Sequence, residues 1–235
     1  MTGQLEVQQL VGGYGKLAVF RELSLSVKSG EVLAVLGPNG AGKTTLMMTL
    51  AGLLPRLSGE VLLDGKRMPS GKPAAANKAG VVLVPDDRAL FTTLTVRENI
   101  EIARAPSEKK TGVNDVIEMF PALAKRLELR AGSLSGGEQQ MLAMARGIVQ
   151  RPKVFLIDEM SMGLAPIIVE SLLPIVRQIA DRSNSAVVLV EQHVGLALEV
   201  ADDAMVLVHG NVMLYGPASE LRADTGKLEA AYLGT

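Results

Sequence analysis

The chain has 235 residues, enough for one sizeable domain or a core with a smaller lobe. A formal net charge of −1 gives no field for bulk attraction to nucleic acid, so no nucleic-acid partner is expected. The absence of cysteine removes disulfides, thiolate metal sites and thiol nucleophiles together, as suits a reducing compartment.

The opening MTGQLEVQQL lacks the basic-then-apolar build of a signal peptide, and no apolar run approaches the ~20 residues that span a bilayer. The sequence therefore reads as a soluble chain that would serve a membrane only by docking to something in it. Leu23, Leu25 and Val27 alternate with Ser24 and Ser26, the period of a half-buried antiparallel strand. An antiparallel β lobe is expected ahead of the core.

Beyond it, short Val/Leu/Ile runs recur at Val32–Leu36, Val81–Val84, Val154–Ile157, Val187–Val190 and Met205–Val208. Such continuous runs suit strands buried on both faces, as in a parallel sheet covered by helices. The first run leads into Gly37-Pro38-Asn39-Gly40-Ala41-Gly42-Lys43-Thr44-Thr45, a P-loop pattern between a strand and a helix. Glycines let the backbone wrap and turn its N–H groups towards phosphate oxygens, and the helix N-terminus adds partial positive charge. Lys43 is placed to reach the β- and γ-phosphates, and the Thr44 hydroxyl to ligate Mg²⁺. Leu46, Met47, Leu50 and Leu53 then fit one face of the following helix.

From about Thr95 to Arg130 the pattern turns helical, polar and interrupted, with Pro106 and Gly112 marking a loop. This predicts a helical subdomain, about residues 95–150, inserted into a single α/β domain over 1–235. Within Phe91–Glu101, Leu94, Val96 and Ile100 are expected to offer an apolar docking surface. Leu134-Ser135-Gly136-Gly137-Glu138-Gln139-Gln140 opens the next helix, on which Met141, Leu142, Ala145, Ile148 and Val149 share a face. Ser135 and Glu138 make a capping box, but a cap does not need two glycines. Gly136 and Gly137 leave N–H groups bare, so the same helix end could receive an anion.

Asp158 and Glu159 stand at the carboxyl end of an apolar strand, where ligands sit in doubly wound sheets. Asp158 is placed to hold Mg²⁺ and Glu159 to polarise an attacking water; capping the next helix is the blander alternative. Ile168, Leu172, Ile175 and Ile179 give a later helix one apolar face, with Pro174 expected to kink it.

Together these residues resemble the ABC ATPases, with LSGGEQQ matching their signature motif between the P-loop and the Asp-Glu strand. The resemblance spans nearly the whole chain and implies a P-loop NTPase (RecA-like) core. It implies that Tyr14 stacks on adenine, unless it is a core or turn tyrosine. Asp86, in Pro85-Asp86-Asp87-Arg88, falls at the Gln-loop position with a charged rather than amide contact to Mg²⁺ or water. Gln192 and His193 fall at the switch that meets the γ-phosphate, with Gln192 favoured by strand register. Two subunits, identical or paralogous, are expected to pair head to tail. Ser135, Gly136, Gly137 and Glu138 then serve ATP held on the other subunit.

A narrower likeness, in VPDDRALFTTLTVRENI, SMGLAP and VEQH, is to ATPase subunits of branched-chain amino acid importers; those of urea importers are closely similar. It implies transmembrane permease partners, an extracytoplasmic solute-binding protein acting indirectly, and a peripheral place on the cytoplasmic face of the inner (plasma) membrane. Two other readings compete. Soluble ABC proteins acting on ribosomes or DNA usually carry two cassettes or a long coiled coil. P-loop kinases and GTPases have no use for LSGGEQQ.

Overall fold

The alternating N-terminal sequence forms β1 (Leu5–Tyr14) and β2 (Leu17–Val27), paired antiparallel with Leu5 opposite Val27 and Val7 opposite Leu25. β3 (Val32–Leu36) leaves this lobe for the core and runs into α1 (Lys43–Leu50). The chain returns through β4 (Arg56–Leu63) and β5 (Lys66–Arg67), completing a four-stranded antiparallel sheet in the order β2-β1-β4-β5. The computed structural model describes residues 4–104 and 112–233.

Next come α2 (Pro73–Ala79) and β6 (Val81–Val84). Among the described residues, four α-helices follow before the chain re-enters the sheet: α3 (Val96–Ala103), α4 (Val113–Ile117), α5 (Pro121–Ala124) and α6 (Gly136–Ile148). β7 (Val154–Asp158), α7 (Pro166–Ser183), β8 (Ala186–Val190), α8 (Val194–Val200) and β9 (Asp203–Val208) alternate after that. β10 (Asn211–Pro217), α9 (Ala218–Ala223) and α10 (Thr225–Leu233) end the described chain. The second sheet has the order β10-β9-β3-β8-β7-β6, with β9 to β6 parallel and β10 antiparallel at one edge. The expected parallel core with an antiparallel lobe is what forms.

β3 shows why its run is continuously apolar. Leu33 and Val35 pack with Leu46, Met47 and the lobe's Phe20, while Ala34 and Leu36 pack with Ala197, Leu198 and Leu221. The helices between β6 and β7 share a third apolar cluster with α7 and the sheet, through Ile100, Leu142, Phe155 and Leu172. Among the described residues no helix is long and apolar enough to cross a membrane.

Several expectations need correction. Leu53 is 52% exposed, because the chain turns at left-handed Gly52 (φ 72) and α1 ends before it. Val96 and Ile100 are fully buried in the cluster shared with α6, so they cannot form a docking surface; Phe91 and Ile102 are the exposed apolar residues there. The buried face of α7 is Val169, Leu172, Leu173, Val176, Ile179 and Ala180, with Ile168 and Ile175 only partly covered, and the helix continues past Pro174. Pro106 lies outside the described residues, and Gly112 caps α4.

Candidate functional site

β3, β8 and β7 lie side by side and parallel, so their carboxyl ends open on one edge of the sheet. The glycine-rich loop leaves β3, Gln192 follows β8, and Asp158 and Glu159 leave β7. Gly37 has φ 147, and a Cβ there would sit 2.0 Å from the Leu207 carbonyl oxygen, so no other residue fits. Gly40 (φ 79) and Gly42 (φ 107) complete the curl, and Gly42 begins α1 with no side-chain cap on its N–H groups. Those donors face a cleft of about 290 Å³ lined by Tyr14, Val19, Asn39, Lys43, Thr44 and Glu159, among others. Lys43 is 4% exposed, and its Nζ donates to the carbonyls of Gly37 (2.9 Å) and Pro38 (3.1 Å). Ala41 is buried beneath the loop, while Tyr14 stands at the cleft edge, 52% exposed.

Asp158 is 2% exposed, with the Thr44 hydroxyl near enough to favour its charged form. Burial pushes its carboxyl up to about 6, with Asp86 and Glu159 adding to the rise and Thr44 and Lys43 opposing it. Its Oδ1 is buried without a hydrogen-bond partner. An orphaned carboxylate oxygen beside a threonine hydroxyl is a poor resting arrangement and a good one for a hard, oxygen-seeking cation. Among the described residues no cluster of three or more His, Asp or Glu could hold a metal unaided, so other ligands would have to come from phosphate and water.

Glu159 adopts φ 44, rare for a non-glycine residue, and its N–H donates to the Val190 carbonyl at 3.0 Å. That turn aims its carboxylate into the cleft, where Oε1 lies 3.6 Å from Lys43 Nζ and Oε2 accepts Gln192 Nε2 at 2.9 Å. Gln192 also reaches Asn39 Oδ1 at 3.3 Å. His193 is exposed and caps α8, its carbonyl accepting from Ala197 at 3.0 Å. Asp86 is exposed in the turn after β6, and its Oδ1 accepts the Asp87 N–H at 2.9 Å.

Ser135 and Glu138 form the capping box of α6: Ser135 N–H donates to Glu138 Oε2 at 2.9 Å and Glu138 N–H to Ser135 Oγ at 3.3 Å. These bonds, with Arg126, hold the Glu138 carboxyl below its usual value. Gly136 is exposed, whereas Gly137 is buried and a Cβ on it would lie 2.8 Å from Ile168 Cγ2. Close packing against α7 is thus a second reason for glycine at 137. None of Ser135, Gly136, Gly137 or Glu138 lines the Lys43 cleft.

Glu191 was not singled out from sequence. It is 1% exposed, and its carboxylate accepts from the Ser161 N–H at 3.1 Å and from the Ser161 hydroxyl, tying the segment after β7 to the end of β8. An acidic residue closing a fully apolar strand was the available signal.

Residues 20–162 match the profile of the ABC transporter family. The chain is 39% identical over 224 residues to the high-affinity branched-chain amino acid transport ATP-binding protein BraG of Pseudomonas aeruginosa, covering 94% of this chain and 95% of that one. It is 36% identical to a probable branched-chain amino acid transport ATP-binding protein, LivF, of Archaeoglobus fulgidus, with 92% and 93% covered. Its fold superposes on the ADP conformation of an ATP-binding cassette from an ABC transporter with a TM-score of 0.83, at 24% identity and 99% coverage of both chains.

Proposed function

This chain belongs to the ABC transporter family as an ATP-hydrolysing subunit, and on that premise we propose that it pairs with a second cassette to energise import of branched-chain amino acids. ATP lies with its phosphates on the Gly37–Thr45 loop and its adenine against the exposed face of Tyr14. Lys43 exchanges its loop carbonyls for the β- and γ-phosphates. The Thr44 hydroxyl and the orphaned Asp158 oxygen would hold Mg²⁺, with Asp86 in electrostatic reach, and the ion would supply charge neutralisation on the phosphates.

Glu159 accepts a proton from the attacking water as its oxygen bonds to the γ-phosphorus and ADP leaves. Gln192 holds the Glu159 carboxylate in position with an amide that does not titrate. The observation that carries the paired arrangement is that the cleft has one wall: Lys43 and Glu159 line it, while Ser135–Glu138 do not. A second subunit's signature turn supplies the missing wall.

The cargo rests on likeness over more than nine-tenths of the chain to two ATP-binding proteins named for branched-chain amino acid transport. Permease subunits in the membrane, served by an extracytoplasmic solute-binding protein, are the partners this implies, with the chain peripheral on the cytoplasmic face. Glu159→Gln is expected to bind ATP, hydrolyse it at least about a hundredfold more slowly, and elute with ATP and Mg²⁺ as a dimer. Elution only as a monomer refutes the pairing. Cells lacking the gene should lose high-affinity uptake of labelled leucine, and regain it with the wild-type chain but not with Glu159→Gln. Undiminished leucine uptake refutes the cargo.

A further inference from the structure

The turn that carries Asp86 bends through two consecutive left-handed, non-glycine residues, Arg88 (φ 65) and Ala89 (φ 45). Such a pair persists only where its surroundings hold it. Here two side chains of the turn and α6 do so. Arg88 Nε donates to Gln140 Oε1 at 3.1 Å, and Arg88 Nη1 to Gln139 Oε1 at 3.0 Å. At the other end of α6, Arg146 donates to the Ala89 carbonyl and lies 5.0 Å from the Phe91 ring. The turn and the helix are therefore fastened at two points.

The Arg88 fork lands next to the signature residues. Gln140 is 1% exposed and cannot swing away. Gln139 bonds back to the carbonyls of Ala131 and Leu134, each at 3.3 Å, the residues that lead into Ser135. Arg88 Nη2 would lie 3.8 Å from a Cβ placed on Gly136. A planar guanidinium gripping two amides is a stiff link, and lysine cannot reproduce it.

We propose that Arg88 is a positioning residue for ATP hydrolysis: it sets the Ser135–Gly137 turn for the ATP on the opposite subunit according to where its own Asp86 loop stands. The proposal rests on the paired-subunit reading above. It assigns Arg88 an effect across the dimer, not on the nucleotide bound by its own subunit.

The test compares Arg88→Ala, Arg88→Lys and Gln139→Ala. Affinity of the isolated subunit for a fluorescent ATP analogue reads its own cradle. ATP-driven dimerisation in the Glu159→Gln background and kcat in the otherwise wild-type chain read the opposite site. Arg88→Ala should leave cradle affinity within about twofold while weakening dimerisation and kcat about tenfold, with Arg88→Lys intermediate. Gln139→Ala should lower both, and adding it to Arg88→Ala should cost little more. A drop in cradle affinity matching the drop in kcat overturns the proposal, as does a lowered Tm with dimerisation and kcat unchanged. Should Arg88→Ala not fold, Arg88→Lys and the partly exposed Gln139→Ala carry the same test. If the Glu159→Gln parent itself does not dimerise with ATP, the paired-subunit reading fails and this proposal with it; dimerisation that Arg88 does not affect sinks the proposal alone.

Discussion

The two walls that meet on ATP in the pairing proposed above are made rigid by different means. The cradle is a backbone object: Gly37 is pressed against the Leu207 carbonyl, Gly40 and Gly42 curl with positive φ, and an uncapped helix start presents its N–H groups. The wall on the helical side is a side-chain object. Arg88 reaches Gln139 and Gln140, Arg146 grips Ala89, and fully buried Asn99 pins the 91–95 turn. Asn99 Oδ1 accepts the Phe91 N–H at 3.1 Å, and its Nδ2 donates to the carbonyls of Phe91 and Thr95, each at 2.9 Å. A backbone-defined surface holds one shape, which suits a fixed phosphate site. A side-chain-defined one can shift as a body when its anchors shift, which suits the moving half of the proposed dimer.

Breaking the cradle should have the largest effect. Lys43→Ala removes the charge at the β/γ-phosphates from a nearly dry site, so ATP turnover should fall by about a hundredfold or more. Its bonds here go only to loop carbonyls and the Glu159 carboxylate, so circular dichroism and Tm should stay close to wild type. Normal steady-state turnover would show that the cleft is not the hydrolytic site.

The helical wall should break differently. Asn99→Ala leaves the Phe91 N–H without its acceptor and removes the side-chain donor from the Phe91 and Thr95 carbonyls, which keep the backbone N–H groups of residues 94 and 99, at a cost of about 1–3 kcal/mol in stability. Urea denaturation reads that loss, while nucleotide affinity of the folded subunit should be unchanged. A loss in affinity with stability intact would mean that the two walls are not separable in this way.

The smallest effect sharpens the line between them, at the end of β8. Gln192→Ala frees the Glu159 carboxylate and should lower turnover about tenfold, whereas His193→Ala should stay within about twofold. Measured from pH 5.5 to 8, the residual activity of Gln192→Ala should show no added dependence near neutrality, since an amide does not titrate. A large loss confined to His193→Ala would transfer the role to the imidazole.

Much of this was open to sequence reasoning because it is local. The P-loop, the apolar strands before it and before Asp158, and the Ser135–Glu138 cap are contiguous stretches in which each residue's conformation follows from its own side chain and near neighbours. Glycine requirements and strand periodicity are of that kind. Contacts between distant segments are not. Val96 and Ile100 look equally suited to a surface or a core, and only closure of α6 over α3 buries them. The exposure of Leu53 depends on where Gly52 turns the chain. Arg88 and Gln140 are 52 residues apart, and nothing around either announces the other. Local sequence sets backbone shape through steric and hydrogen-bonding preferences a few residues long. Which apolar face is covered, and which amide meets which guanidinium, is decided when remote segments compete for the same buried volume.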